Sequence, residues 1–237
     1  MQDRPASIIQ AALAVLSTAD ARAKAAKSQD MAALVRAHDL PLGDIAAMPD
    51  RPARPSAPEL LPPRDMPKRR KGGSAQTRIA LLHALAHIEL NAIDLAWDAA
   101  GRIGPDMPRA FALDWIGVGA DEARHFLMLA DRLEALGSHY GALPAHDGLW
   151  QAAFDTRQDL AGRLSVVPLV LEARALDVSP PTIDRLRGQG DHESADVLQV
   201  IYEDEIAHVG VGARWFLQLA QERGESPDVL FDQCLER

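Results

Sequence analysis

Two short stretches decide how this sequence folds: Asp121-Glu122-Ala123-Arg124-His125 and Asp204-Glu205-Ile206-Ala207-His208. Both read Asp-Glu-x-x-His. Three residues advance an α-helix by about 300°, so Glu and His in each pentad project from one face a turn apart and can reach one ion. Upstream of each pentad, a helical segment carries a further glutamate, Glu89 or Glu172. The intervals agree, since 122 − 89 = 33 and 205 − 172 = 33. A helix with Glu followed by a helix with Glu-x-x-His therefore occurs twice at one spacing. A pseudo-twofold helical bundle around two metal ions requires that arrangement.

The surroundings of each carboxylate agree with it. Glu89 shares its face with Leu82, Ala86, Ile93 and Ala96, and Glu122 with Trp115, Val118, Phe126 and Leu129. Glu172 lies beside Pro168, Leu169, Ala175 and Leu176, and Glu205 beside Leu198, Ile201, Tyr202 and Val209. Such faces point inward. Burying an unpaired carboxylate costs several kcal/mol, and four together repel one another. Two divalent cations balance four carboxylates while two imidazoles bind neutral. The predicted ligands are Glu89, Glu122, His125, Glu172, Glu205 and His208, with Glu122 or Glu205 bridging. Asp121 and Asp204 are expected to accept the distal N–H of a ligating imidazole and fix its tautomer. The competing reading makes these glutamates ordinary salt-bridge partners of Arg124 or Arg174.

Working outward, residues 5 to about 38 read as one or two Ala-rich helices, with Ile9, Leu13 and Leu16 at helical spacing. Eight of the chain's 16 prolines then fall between Pro41 and Pro67. Proline fixes φ and lacks an amide hydrogen, so this stretch is neither helix nor central strand. Its isolated apolar anchors (Ile45, Leu60, Leu61, Met66) predict an extended segment laid over the bundle. Four long helices follow: Ser74 (an N-cap) to Ala100, Pro108 to Leu136, Thr156 to Leu176 with a kink at Pro168, and Asp191 to Arg223. Short helices are expected near Trp150 and over 182–186, the latter separated by Pro180 and Pro181. The expectation is an all-α chain organised as 1–40 N-terminal helices, 41–73 Pro-rich wrap, and 74–237 four-helix bundle.

Composition narrows the function. The net charge is −9, which argues against general nucleic-acid binding. Only Arg64, Lys68, Arg69, Arg70 and Lys71 form a basic loop (64–71), read as a solvated loop or as a contact for an anion or RNA. One cysteine, Cys234, excludes an internal disulfide and a thiolate-rich metal site. Uninterrupted apolar runs are short, so no transmembrane helix is expected. Ile8–Leu16 with Asp3 and Gln10 reads as an amphipathic helix rather than a signal peptide, so the expected location is cytoplasmic.

Other residues carry weaker signals. His83, His87, Asn91 and Asp94 form a polar stripe offset from Glu89, expected at the surface or between helices rather than as ligands. Tyr202, a turn before Glu205, is a candidate hydrogen-bond or redox partner, or a core tyrosine. Gly117, Gly119, Gly210 and Gly212 mark either close helix packing or a small cavity. His139, Tyr140, His146, Asp147 and Trp150 form a loop that can edge an active-site mouth.

At these residues the chain resembles the ferritin-like superfamily, and within it the bacterial family catalogued as domain of unknown function 455. The resemblance runs through PPRDMP (62–67), HALAHIEL (83–90), DEARHF (121–126), GSHYG followed by AHDGLW (137–150), LEARALDVSP (171–180) and DEIAHVGVG with RWF (204–216). It covers about residues 58–231. More distantly, DEARH is similar to the metal-binding pentads of bacterial multicomponent monooxygenases, and the size is similar to that of a tRNA hydroxylase family. The resemblance implies a ferritin-like four-helix bundle with two iron ions, manganese or a mixed Mn/Fe pair also fitting. The expected function is a non-haem oxidoreductase that activates dioxygen to hydroxylate or oxidise an organic or RNA-linked substrate. An electron donor is implied, Glu122, Glu205 and Tyr202 are the catalytic candidates, and a homodimer is left open. The alternatives are ferroxidase or iron handling, manganese-type peroxide dismutation, and a metal-stabilised RNA-associated module.

Overall fold

The computed structural model describes residues 4–44, 46–67 and 73–236. Lys68 to Lys71, the core of the predicted basic loop, and Ile45 lie outside them. The described residues are helical, with no strand beyond an isolated parallel bridge between Leu60 and Ala145. The chain divides into two compact units, Met1–Asp147 and Gly148–Arg237.

The first unit holds α1 (Ile8–Leu16), α2 (Ala21–Ala37), α3 (Ala75–Asp98) and α4 (Arg109–Ala135). Each start has a local cause. Ser7 Oγ accepts from Gln10 N (3.2 Å), Asp20 Oδ1 from Ala23 N (2.8 Å) and Ser74 Oγ from Thr77 N (3.3 Å), satisfying amides that a helix start leaves open. α4 ends at Ala135, and its cap Leu136 is followed by Gly137 at φ +76°, a left-handed position that suits glycine. α3 and α4 pack along their length, and α2 packs on α4. At Gly119 α3 and α4 approach closely, and a Cβ there would lie 2.9 Å from Trp97 Nε1. Trp97 donates to Ser28 Oγ, which donates to the Gly119 carbonyl, both at 2.7 Å.

The first long helix, expected to run to Ala100, ends as α-helix at Asp98 and continues as a π-turn, Ala99–Ile103. A Cβ at Gly101 in that turn would lie 2.7 Å from Met48 of the Pro-rich segment. That segment does lie over these helices. Ala53 N donates to Leu16 O (2.7 Å), Arg102 to Pro49 O (2.8 Å), and Leu61 N to Ala145 O (2.8 Å).

One helical run, Ala75–Asp106, has the length and hydropathy to cross a membrane, against the expectation drawn from its short uninterrupted apolar runs. It is a core helix of this unit: 67% of its most apolar window is buried, and Glu89, Asp94 and Asp98 are buried within it.

The second unit holds α5 (Gly148–Asp155), α6 (Leu160–Val166), α7 (Ala173–Gly188), α8 (His192–Arg223) and α9 (Pro227–Leu235). The predicted kink at Pro168 is a π-turn, Val167–Glu172, that joins α6 to α7. Proline cannot donate to the carbonyl four residues back, and widening the turn accommodates that loss. The predicted break at Pro180 and Pro181, and the separate helix 182–186, are overturned: α7 runs through both prolines. The helix carries Asp177, Val178 and Pro181 exposed, so solvent can reach carbonyls the prolines leave unpaired. Thr182 Oγ1 also donates to Val178 O at 2.7 Å.

Candidate metal centre

Three of the predicted ligands come together in the first unit. Glu89 on α3 is 4% exposed, Glu122 on α4 is 1% and His125 on α4 is 0%. Their ligand atoms lie within 4.8 Å of one another, a buried Glu/His cluster able to hold a metal ion. The helices explain the convergence. Glu122 and His125 are a turn apart on α4, and the α3–α4 packing sets Glu89 against them. His125 Nδ1 lies 3.3 Å from both Glu122 Oε2 and Glu89 Oε2.

The electrostatics are those of a site that needs positive charge. Burial, and then the Glu122 carboxylate, hold the Glu89 carboxyl well above the usual range despite the nearby imidazole. Burial alone would lower His125, but the carboxylates of Glu122 and Glu89 outweigh it and push it up to about 11. A proton thus neutralises the cluster where a cation would. Glu89 Oε2 is buried with the His125 imidazole 3.3 Å away, and no other hydrogen-bond partner reaches it among the described residues. Carboxylate oxygens and an imidazole nitrogen, with no thiolate, suit iron or manganese. The residues present fit a divalent metal.

The second unit carries the matching set on its own elements. Glu205 and His208 are buried on α8, with His208 Nδ1 3.6 Å from Glu205 Oε1. In both units it is Nδ1 that faces the glutamate of its own helix. Glu172 ends the π-turn and is half-buried.

The amino-acid sequence matches the family described as "Protein of unknown function (DUF455)" over residues 17–237. The chain belongs to this family. It is also 37% identical over 204 residues to an "Uncharacterized protein" of Haemophilus influenzae (strain ATCC 51907 / DSM 11121 / KW20 / Rd), covering 84% of this chain and 68% of that protein. No solved structure matches it.

The remaining predicted residues of this DUF455 chain divide by environment. Asp121 pairs with Arg124 at 3.1 Å on a face where both side chains are more than 40% exposed. Asp204 and Tyr202 are half-buried on α8. His83 and His87 are not at the surface; they are buried and hold the loop that follows α4. His83 Nε2 accepts from Gly141 N (2.9 Å) and Leu143 N (3.4 Å). His87 lies 2.9 Å from Tyr140 Oη and 3.1 Å from the His146 carbonyl. Burial lowers both imidazoles to about 4, Arg54 adding to the effect at His87. Asp147 forms an ion pair with Arg51, and Trp150 is buried in α5. The loop is therefore clamped to α3 and to the Pro-rich segment.

Sequence reasoning missed one buried polar group. Lys24, wholly buried on α2, bonds Asp94 and the Ala53 carbonyl, and Arg54 reaches Asp94 (3.1 Å) and Asn91 (2.7 Å). Burial lowers Lys24 and raises Asp94. The partners are 70 residues apart in sequence, so no spacing announced them.

Proposed function

We propose that this protein is a dinuclear-metal oxidoreductase of ferritin-like type. Glu89, Glu122 and His125 supply one half of the centre, and Glu172, Glu205 and His208 the other. Its four ligand-bearing segments are α3, α4, α6–α7 with their π-turn, and α8. The observation that carries this is the buried Glu89–Glu122–His125 cluster, whose Glu-x-x-His geometry recurs at Glu205 and His208. Iron is the proposed metal, with manganese or a mixed pair compatible with the same donors. When bound, the metals would supply dioxygen activation for hydroxylating or oxidising an organic substrate, with electrons from an external donor.

The chain's own residues do the rest. Glu89 and Glu172 are assigned as terminal ligands, and Glu122 or Glu205 as the bridging one, since a carboxylate has two oxygens to offer. The buried helix faces around Glu89 and Glu122 exclude bulk water, which strengthens every charge interaction there. Asp204 is assigned to hold an imidazole proton, and Tyr202 to bond a ligand or substrate group; Asp121, expected in the same role, pairs instead with Arg124 on an exposed face.

The test is direct. Protein reconstituted anaerobically with ferrous iron should bind close to two metals per chain and take up oxygen in excess of that needed to oxidise the iron when a reductant is supplied. Stoichiometric uptake that stops once the iron is ferric would favour ferroxidase chemistry. Failure to bind metal would remove both readings.

A further inference from the structure

The loop after α4 brings Tyr140, one of the chain's two tyrosines, onto α3 and α4. Its ring stacks on His83 with 5.5 Å between centroids and packs T-shaped against Phe126 at 5.2 Å. Phe126 directly follows His125. His87, which the phenol oxygen meets at 2.9 Å, lies two positions before Glu89. Tyr140 is thus lodged against both ligand-bearing helices of the first unit, on residues next to the Glu89–Glu122–His125 cluster.

The hydrogen bonds fix where its proton can go. The His146 carbonyl can only accept, so His87 Nε2 donates to it at 3.1 Å. The buried, neutral imidazole then offers Nδ1 as an acceptor, and Tyr140 Oη donates to it. The loop is held without this bond, since His83 already takes Gly141 N and Leu143 N.

Space limits what the phenol can do. Beside it, between Arg54, Pro55, Pro58, Leu60 and His87, about 10 Å³ remains, room for a single water at most. An organic substrate does not fit there, but an electron needs no room. Burial pushes the Tyr140 phenol up, so it keeps its proton. Removing an electron alone would leave a cation in an apolar site, a cost avoided when the proton leaves with it.

We propose, on the reading of Glu89, Glu122 and His125 as metal ligands, that Tyr140 is a one-electron relay to the metal centre with His87 Nδ1 as its proton acceptor. The centre, oxidised by dioxygen, is the oxidant and takes one electron. The Tyr140 O–H bond breaks, an N–H bond forms at His87 Nδ1, and a neutral phenoxyl radical remains. An external one-electron donor reduces the radical, and the proton returns from Nδ1 to the oxygen.

With that donor withheld, the radical should accumulate. Full-length protein loaded anaerobically with ferrous iron, mixed with oxygenated buffer and frozen at intervals, should show the electron paramagnetic resonance signal of a tyrosyl radical. Ring-deuterated tyrosine should narrow the signal, which assigns it without any substitution, and deuterated solvent should slow its appearance. Tyr140→Phe should lose it while binding as much iron as wild type. His87→Gln, which keeps an acceptor oxygen for the phenol but no basic nitrogen, should lose it as well. Iron that binds and is oxidised with no tyrosyl signal, or a signal that survives either substitution, overturns the relay and leaves the metal ligands standing. Protein that binds no iron overturns both.

Discussion

Replacing Glu89 with Gln separates a metal ligand from a structural ion-pair partner. Glu89 is 4% exposed, and its ligand oxygen lies within 4.8 Å of its neighbours in the cluster. Two like charges at that separation repel by about 3.5 kcal/mol at an effective dielectric near 20. That repulsion, added to burial, favours the protonated carboxyl in metal-free protein. Glutamine copies the shape and neutrality of a protonated glutamate, so in chelator the variant should lie within about 1 kcal/mol of wild type. With metal the comparison changes. A cation present at about a thousand times its Kd stabilises the native state by about 4 kcal/mol. Losing an anionic ligand that weakens binding about a hundredfold removes about 2.7 kcal/mol of that. For a chain of this size the difference is about 5–11 °C in unfolding temperature.

Differential scanning calorimetry with excess Mn²⁺, and again with EDTA, measures both numbers. The wild type should gain stability with metal and Glu89→Gln should gain much less. If Glu89 served instead as the fixed counter-charge of an imidazolium at His125, the substitution would break a buried pair and cost about 3–5 kcal/mol in chelator as well. An equal loss in both buffers, or a wild type indifferent to metal, would refute the metal-ligand reasoning.

Three further outcomes follow from the geometry. His83 has a folded pKa of about 4, below its unfolded value near 6.5, so its contribution is complete above pH 6.5 and is lost as pH falls toward 4. Protonating Nε2 also removes the acceptor for Gly141 and Leu143; up to about 3 kcal/mol should disappear across that window. Urea midpoints at pH 7 and pH 4.5 should differ less in His83→Gln than in wild type, and identical pH dependence would count against the assignment. Gly212→Ala sets a Cβ 2.4 Å from the Pro168 ring, which cannot rotate away; overpacking of about 1–3 kcal/mol should exceed the roughly 1 kcal/mol of helix propensity gained, read as a lower unfolding temperature. Lys24→Met leaves Asp94 with Arg54 as its cationic partner and should cost about 1.5–3 kcal/mol by chemical denaturation, with the added Asp94→Asn change recovering part of it.

The helical class, the Ser74 cap and the cluster at Glu89, Glu122 and His125 were legible because each rests on spacing within a helix or between adjacent helices. A turn of 3.6 residues fixes which side chains share a face, and apolar neighbours fix which face turns inward. What escaped depends on contacts that sequence does not order. The π-turn after Asp98 was not legible, since Met48, more than fifty positions upstream, lies where a Cβ at Gly101 would be. Pro180 and Pro181 read as a break because propensity assumes that lost amides matter equally everywhere. On a face open to solvent they do not. His83 and His87 read as a polar stripe because nothing local reveals that the loop after α4 returns to cover them.

The equal 33-residue intervals do not produce equal halves. Glu89 sits in regular α-helix, with the π-turn of its run beginning ten residues later at Ala99, whereas Glu172 sits at the end of a π-turn that opens beside Pro168. A π-turn carries one residue more than an α-turn and shifts the direction of the side chains that follow. The consequence is visible in each unit separately: Glu89 is buried, while Glu172 is half-buried on a segment followed by the exposed residues of α7. A carboxylate less deeply enclosed is freer to change how it binds, and one wholly enclosed is held in place by its neighbours. Equal spacing in the sequence therefore does not give equal burial, and the π-turn beside Pro168 is where the two segments differ.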